Sequence, residues 1–112
     1  MDQYPNDTLN QTFHALSHPV RRAILAQLVE RSATVTEIAD QFPISLNGVS
    51  KHLKVLEHAA LIRRSVEGRV HHCSLDVANL REAGAWIDFY RPYWEQRLDA
   101  LERFLVGQDE QS

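Results

Sequence analysis

The sequence predicts a mainly helical α+β domain carrying one small β-hairpin, and three observations predict it. Apolar residues recur at three- and four-residue intervals through most of the 112 residues. Two short helices in close succession are announced by their opening residues, Thr34-Val35-Thr36-Glu37 and Ser45. Two β-prone runs then flank Glu67-Gly68 before a long helical pattern resumes. The predicted order is four helices, two strands, and one or two closing helices.

The first helix runs from Asp7, a good cap, to about Leu16, with Leu9, Phe13 and Leu16 on one side. Residues 1–6 read as a loose end. Pro19 opens the second helix, where its missing N–H costs nothing, and Val20, Ile24, Leu25, Leu28 and Val29 form its apolar stripe. Thr34 and Glu37 fit a capping box for a short third helix with Ile38, Ala39 and Phe42 inward, which Pro43 stops. Ser45 caps the fourth, through about Ala59, and Val49, Leu53 and Leu56 face the core. Leu61–Val66 and Arg69–Leu75 form the hairpin, closed around Glu67-Gly68 because glycine supplies positive φ.

From Val77 the stripe Leu80, Ala83, Ile87, Tyr90, Trp94, Leu98, Leu101, Leu105 steps by three and four. It is too long to be covered by so small a core. Pro92 lies inside it and removes a helical hydrogen bond, so a kink or a break into two helices is expected between about Asp88 and Pro92. After Gly107 the tail is polar.

Length allows one domain, 1–112. No apolar run approaches the roughly 18 residues of a membrane span, and the N-terminus has neither the basic start nor the apolar stretch of a signal peptide. A single cysteine, Cys73, excludes an internal disulfide. The expected location is cytoplasmic. Net charge is −3, but it is unevenly spread. Residues 45–75 carry five cations (Lys51, Lys54, Arg63, Arg64, Arg69) against two acids, net +3, while 76–112 carry four Arg against eight acids, net −4. The local field governs attraction to phosphate. Helix, tight turn, helix and basic hairpin make the layout of a winged helix-turn-helix.

The segments Ala15–Leu28, Thr34–Ile62 and Arg63–Leu75, in this order and at these separations, resemble the ArsR-type winged-helix repressors of bacteria and archaea. The likeness spans roughly Leu9 to Leu105. It implies a dimeric transcriptional regulator, usually a repressor, with the first and last helices at the dimer interface. On that basis 1–16 and 77–106 are expected to dimerise through Leu9, Phe13, Ile87, Tyr90, Trp94, Leu98, Leu101 and Leu105, with 107–112 a loose tail. The ending Trp86–Leu105 is similar to a branch lacking the familiar metal sites. The helix holding Thr36–Phe42 has no cysteine, the last helix has no histidine, and His18 stands where Asp is frequent before the proline.

The helix from Ser45 is the expected recognition helix. Asn47 can pair with adenine and Lys51 with guanine, while Ser45, Ser50 and His52 offer shorter contacts. Lys54 adds charge, and Gly48, which costs about 1 kcal/mol relative to Ala in a helix, suggests close backbone approach to DNA or a merely tolerated surface glycine. Arg64 and Arg69 flank the hairpin tip and suit phosphate or a minor groove. Strand alternation puts Arg63 on the other face. The partners expected are double-stranded DNA bearing an inverted repeat and a second copy of the chain, with no cofactor, no metal and no membrane. His71 and Cys73 share a strand face, but two ligands fall short of a four-coordinate zinc site. The motifs of an enzyme (HExxH, Gly-x-Ser-x-Gly, a Gly-rich phosphate loop) are missing. The contrasting reading is a winged-helix module that binds protein instead of DNA. The inducing signal is not written in the sequence.

Overall fold

The computed structural model describes residues 7–111, with side-chain surroundings for 7–108. The expected loose end 1–6 and Ser112 of the tail lie outside the described residues. The elements are α1 (Asp7–Ala15), α2 (Pro19–Glu30), β1 (Ala33–Thr34), α3 (Val35–Ala39), α4 (Leu46–His58), β2 (Ile62–Glu67), β3 (Val70–Leu75) and α5 (Ala78–Gln111). The strands form one antiparallel sheet in the order β1-β3-β2. β1 was not legible beforehand: two residues, Ala33 and Thr34, pair with Cys73 and His72 and tie the root of the helix-turn-helix to the hairpin.

Helix starts follow the local chemistry. The capping box is complete: Glu37 N donates to Thr34 Oγ1 at 3.1 Å and Thr34 N donates to Glu37 Oε1 at 3.2 Å. These bonds favour the ionised Glu37, so its carboxyl lies below the usual range, the backbone bond from Thr34 being the main cause. Ser45 Oγ accepts from Gly48 N at 3.0 Å. Pro19 is the first residue of α2, and the cap before it is His18, whose Nδ1 accepts from Val20 N at 3.1 Å. An imidazole nitrogen here does what a short carboxylate or hydroxyl usually does.

The end of α4 is decided by geometry that no glycine announced. Ala60 sits at φ 57°, in the left-handed region. Leu61 N donates to Leu56 O at 2.9 Å and Ala60 N to Glu57 O at 3.0 Å. This is the Schellman pattern, with its apolar contact supplied by the fully buried Leu56 and Leu61. An L-residue there is strained by about 1–2 kcal/mol.

The core gathers Ile24, Leu25, Leu28, Ile38, Val49, Leu53, Leu56, Leu61, Ile62 and Cys73, drawn from α2, α3, α4 and the sheet. Val29, expected on the α2 stripe, is 68% exposed instead. The buried arc of α2 is Arg21, Ile24, Leu25 and Leu28, and Val29 lies a further 100° round from Leu28.

The hairpin register pairs Glu67 with Val70, so the two turn residues are Gly68 and Arg69, one place later than the expected Glu67-Gly68. Gly68 has φ 62° and Arg69 a negative φ, as a II′ turn requires. Arg69 thereby occupies the tip itself.

α5 is one unbroken helix of 34 residues with Pro92 inside it, not two helices. The residues around Pro92 are exposed, so water can reach the Asp88 carbonyl that the missing N–H leaves free. The helix also continues through 107–111, past the point where the tail was expected to loosen. Its first turns pack on α1: Ala83 is buried and Trp86 meets Phe13 edge-on with ring centroids 5.8 Å apart. The rest leaves the body. The radius of gyration is 19.3 Å, against about 13 Å for a compact chain of this length.

Replacing Ala60 by Gly should raise stability by about 0.5–1 kcal/mol, because it removes the left-handed strain at a cap. Urea unfolding of the Ala60→Gly variant measures this; an unchanged or lowered midpoint would show that the αL cap is not strained in solution.

Candidate nucleic-acid interface

α4 presents two faces. Val49, Leu53 and Leu56 are fully buried, while Asn47, Lys51 and Lys54 are exposed on the opposite side. Leu46, 57% exposed, lies beside them. Ser45 stands at the helix start with its hydroxyl oxygen already accepting the Gly48 amide. Gly48 has a local reason: a Cβ there would meet Ser45 Oγ at 3.3 Å, so any larger residue crowds the cap. That account does not require DNA.

Between the start of α4 and the hairpin runs a groove of about 520 Å³, lined by Ser50 and Leu46 of α4, Arg64, Arg69 and His71 of the hairpin, and the Thr34–Thr36 segment. Of the expected residues, Ser50, Arg64 and Arg69 thus meet on one surface. Strand alternation correctly separates Arg63, which donates from Nε to Asp76 Oδ2 at 3.1 Å on the far side. Asp76 in turn accepts from Ala78 N at 3.2 Å at the start of α5. Those two bonds, the backbone one first, hold its carboxyl below the usual range.

Arg64 is less free than expected. Its side chain is 20% exposed, its Nε lies 3.3 Å from Glu57 Oε2, and its Nη1 lies 3.5 Å from His71 Nδ1. The Glu57 contact is close enough for charge attraction but poorly aligned, since the buried Nε makes no hydrogen bond. Lys51, Lys54 and Arg69 have no carboxylate at salt-bridge distance among the described residues. Of the five cations between residues 45 and 75, those without an ion pair among the described residues are therefore two on the helix and one at the hairpin tip.

His52, expected among the DNA contacts, turns the other way. Its Nδ1 lies 3.2 Å from Arg21 Nη1, and its ring packs against His18 at a tilt of 46° with centroids 4.3 Å apart. It is not brought together with Asn47 and Lys51. Burial first, then the His18 and Arg21 charges, hold its imidazole below the usual histidine range. Arg21 went unnoticed in the sequence. It is 7% exposed and donates from Nε to Ala15 O at 2.7 Å and from Nη2 to His14 O at 3.1 Å, capping the end of α1. The only available signal was its place among the buried positions of α2.

Cys73 is buried beneath Arg64 in the ladder. Burial pushes its thiol up, Glu57 adds to the rise, and Arg64 only partly opposes it. The thiolate that metal binding or oxidation needs is disfavoured. Among the described residues no three His, Cys, Asp or Glu side chains come together as a metal would require.

The residues expected at a dimer interface divide. Leu9 is 8% exposed and already covered by its own chain, and Phe13 is half-buried against Trp86. Ile87, Tyr90, Trp94, Leu98, Leu101 and Leu105 are 37–63% exposed.

Comparison with known proteins places this geometry. A family model described as a helix-turn-helix domain matches residues 16–65. The transcriptional repressor SdpR of Bacillus subtilis (strain 168) is 34% identical over 79 residues, covering 70% of this chain and 88% of the relative. An HTH-type transcriptional regulator of Mycobacterium tuberculosis, Rv2034, is 29% identical over 96 residues, covering 86% and 87%. Among solved structures, the crystal structure of an ArsR family transcriptional regulator is 38% identical with a TM-score of 0.75, covering 85% of this chain and 97% of that one.

The folded His52 imidazole binds its proton less readily than the unfolded one. The unfolded chain therefore takes up more protons as pH falls, and stability is full above the usual histidine range and lost as pH drops through the lowered folded pKa. Urea midpoints between pH 8 and pH 5 should decline in the wild type and decline less in His52→Gln. Equal declines would assign the acid sensitivity elsewhere.

Proposed function

The chain belongs to the ArsR family of transcriptional regulators, and from that premise we propose that it acts as a homodimeric repressor on an inverted-repeat operator. The observation that carries the reading is the shared exposure of Asn47, Lys51 and Lys54 on α4 beside a hairpin whose turn is Arg69. α4 enters the major groove, where Asn47 and Lys51 reach base edges and Lys54 the backbone, with Ser45 and Ser50 in shorter contacts. Arg69, assisted by Arg64, takes phosphate or the adjoining minor groove. His52 supports the helix from behind and contributes no contact.

The dimer reading rests on α5. A contiguous apolar face of this size, from Trp86 to Val106, is not left in water by a stable monomer. A two-fold axis through it sets two copies of α4 on successive major-groove faces, about 34–36 Å apart.

Lys51→Ala and Asn47→Ala should each discriminate less between operator and random DNA, by about 1–3 kcal/mol. Arg69→Ala should instead weaken both alike and lower the salt slope by about 1. Gel shifts over a salt series with DNA from upstream of the gene measure both. Lys51 and Asn47 variants that keep wild-type specificity would remove α4 from the base-reading role. For the dimer, Trp94→Ala and Leu98→Ala should shift sedimentation toward the monomer; two intact dimers would place the interface elsewhere.

A further inference from the structure

Leu46, the first residue of α4, is 57% exposed, more than any other large apolar side chain of α3 or α4. The core does not use it. α4 is anchored by Val49, Leu53 and Leu56, all fully buried. Ile44, just before the helix, turns back on its own chain, with Cδ1 3.8 Å from where a Cβ on Gly48 would stand. We infer that Leu46 reads a base: its side chain packs on the C5-methyl group of a thymine in the major groove. The inference rests on the DNA reading above and adds an apolar contact to the polar ones of Asn47 and Lys51.

Three features favour this contact. The first is position. Side chains of a helix lean toward its N-terminus, so the first residue projects past the opening turn, the end that a recognition helix sets against base edges. The second is the surroundings. Leu46 shares the groove between α4 and the hairpin with Ser50, Arg64, Arg69 and His71, and no carboxylate lines it. An apolar point ringed by cations suits a base edge set between phosphates. It suits an apolar protein surface poorly, because the arginines would lose water there without gaining a partner. The third is the chemistry of the duplex. Of the four bases only thymine sets a methyl group in the major groove, where the other edges present hydrogen-bonding groups. A leucine against those edges would leave them unpaired.

The consequence is a division of the reading face. Helical spacing sets Leu46 about 40° from Ser50 and about 100° from Asn47 around the axis. Leu46 and Ser50 line the side toward the hairpin, while Asn47 and Lys51 stand outside that groove. Each half of the operator then carries a thymine between the bases read by Asn47 and Lys51 and the backbone held by Arg69. Two such methyl contacts, one per half-site, add to the specificity of the dimer.

Removing the methyl group from the DNA tests this. The same fragment from upstream of the gene is amplified with thymidine or with deoxyuridine triphosphate, which changes no hydrogen-bonding group on the base edge. Gel shifts should show the wild type binding the uracil fragment on the order of tenfold more weakly, the effect of two lost methyl contacts. Leu46→Ala should bind the thymine fragment more weakly by a similar factor and should treat the two fragments alike. Leu46→Met and Ile44→Ala should both keep the distinction. Single uracils stepped through the protected sequence should place the penalty at one position in each half-site. Circular dichroism and thermal unfolding confirm that each variant is folded. A wild type indifferent to uracil, or a folded Leu46→Ala that keeps the full uracil penalty, would overturn the inference, while its specific shift would leave the DNA reading standing. A wild type that shifts neither fragment specifically would overturn both.

Discussion

A single buried guanidinium holds together the parts that must act together. Arg21 ties the last carbonyls of α1 at His14 and Ala15 to α2, which carries it, and to His52 on α4. Helix C-termini concentrate partial negative charge, so these carbonyls are a fitting counterpart for a cation withdrawn from water. A hydrogen bond to a charged group contributes about 1.5–3 kcal/mol. Without Arg21 the Ala15 carbonyl would lose its side-chain partner in a buried place, while the His14 carbonyl would keep its bonds from Ser17. The helix proposed to read DNA and the helix that leads into the dimer surface thus share one polar fastening beneath the apolar core.

The same fastening makes the two histidines conditional. His18 accepts from Val20 N and His52 faces Arg21, each through Nδ1. A proton on the His52 nitrogen would turn an acceptor into a donor facing the Arg21 donor. The imidazole of His52 is thereby held inward, and the positive charge exposed on α4 and at the hairpin tip comes from Lys51, Lys54 and Arg69. This division explains how a chain of net charge −3 can present a cationic surface. The acids are concentrated after residue 75, on the long helix, away from α4 and the hairpin tip.

α5 carries the other unresolved surface energy. Its stripe is regular enough to be read from spacing alone, but the single chain covers only Leu80 and Ala83 of it appreciably. Pro92 does not break the helix because the surrounding turn is solvated. The helix runs on past the proline with its apolar side open to solvent, and that side is the surface assigned above to the proposed dimer.

Much of the fold was legible locally. The capping box at Thr34, the serine cap at Ser45, Pro19 at a helix start and the stripe of α5 all depend on residues a few places apart, where short-range hydrogen bonding and helical period decide the outcome. The outward exposure of Asn47, Lys51 and Lys54 was legible, since a helical residue opposite a buried stripe must face outward, and so was the place of Arg69 beside the hairpin turn. The tertiary structure alone decided the rest. It paired Ala33 and Thr34 with β3, shifted the turn to Gly68-Arg69, forced Ala60 into a left-handed cap, buried Arg21, and drew His52 inward and Arg64 toward Glu57. In each case the deciding partner lies far along the chain or in a packing geometry, and periodicity carries no record of which distant group a side chain will meet.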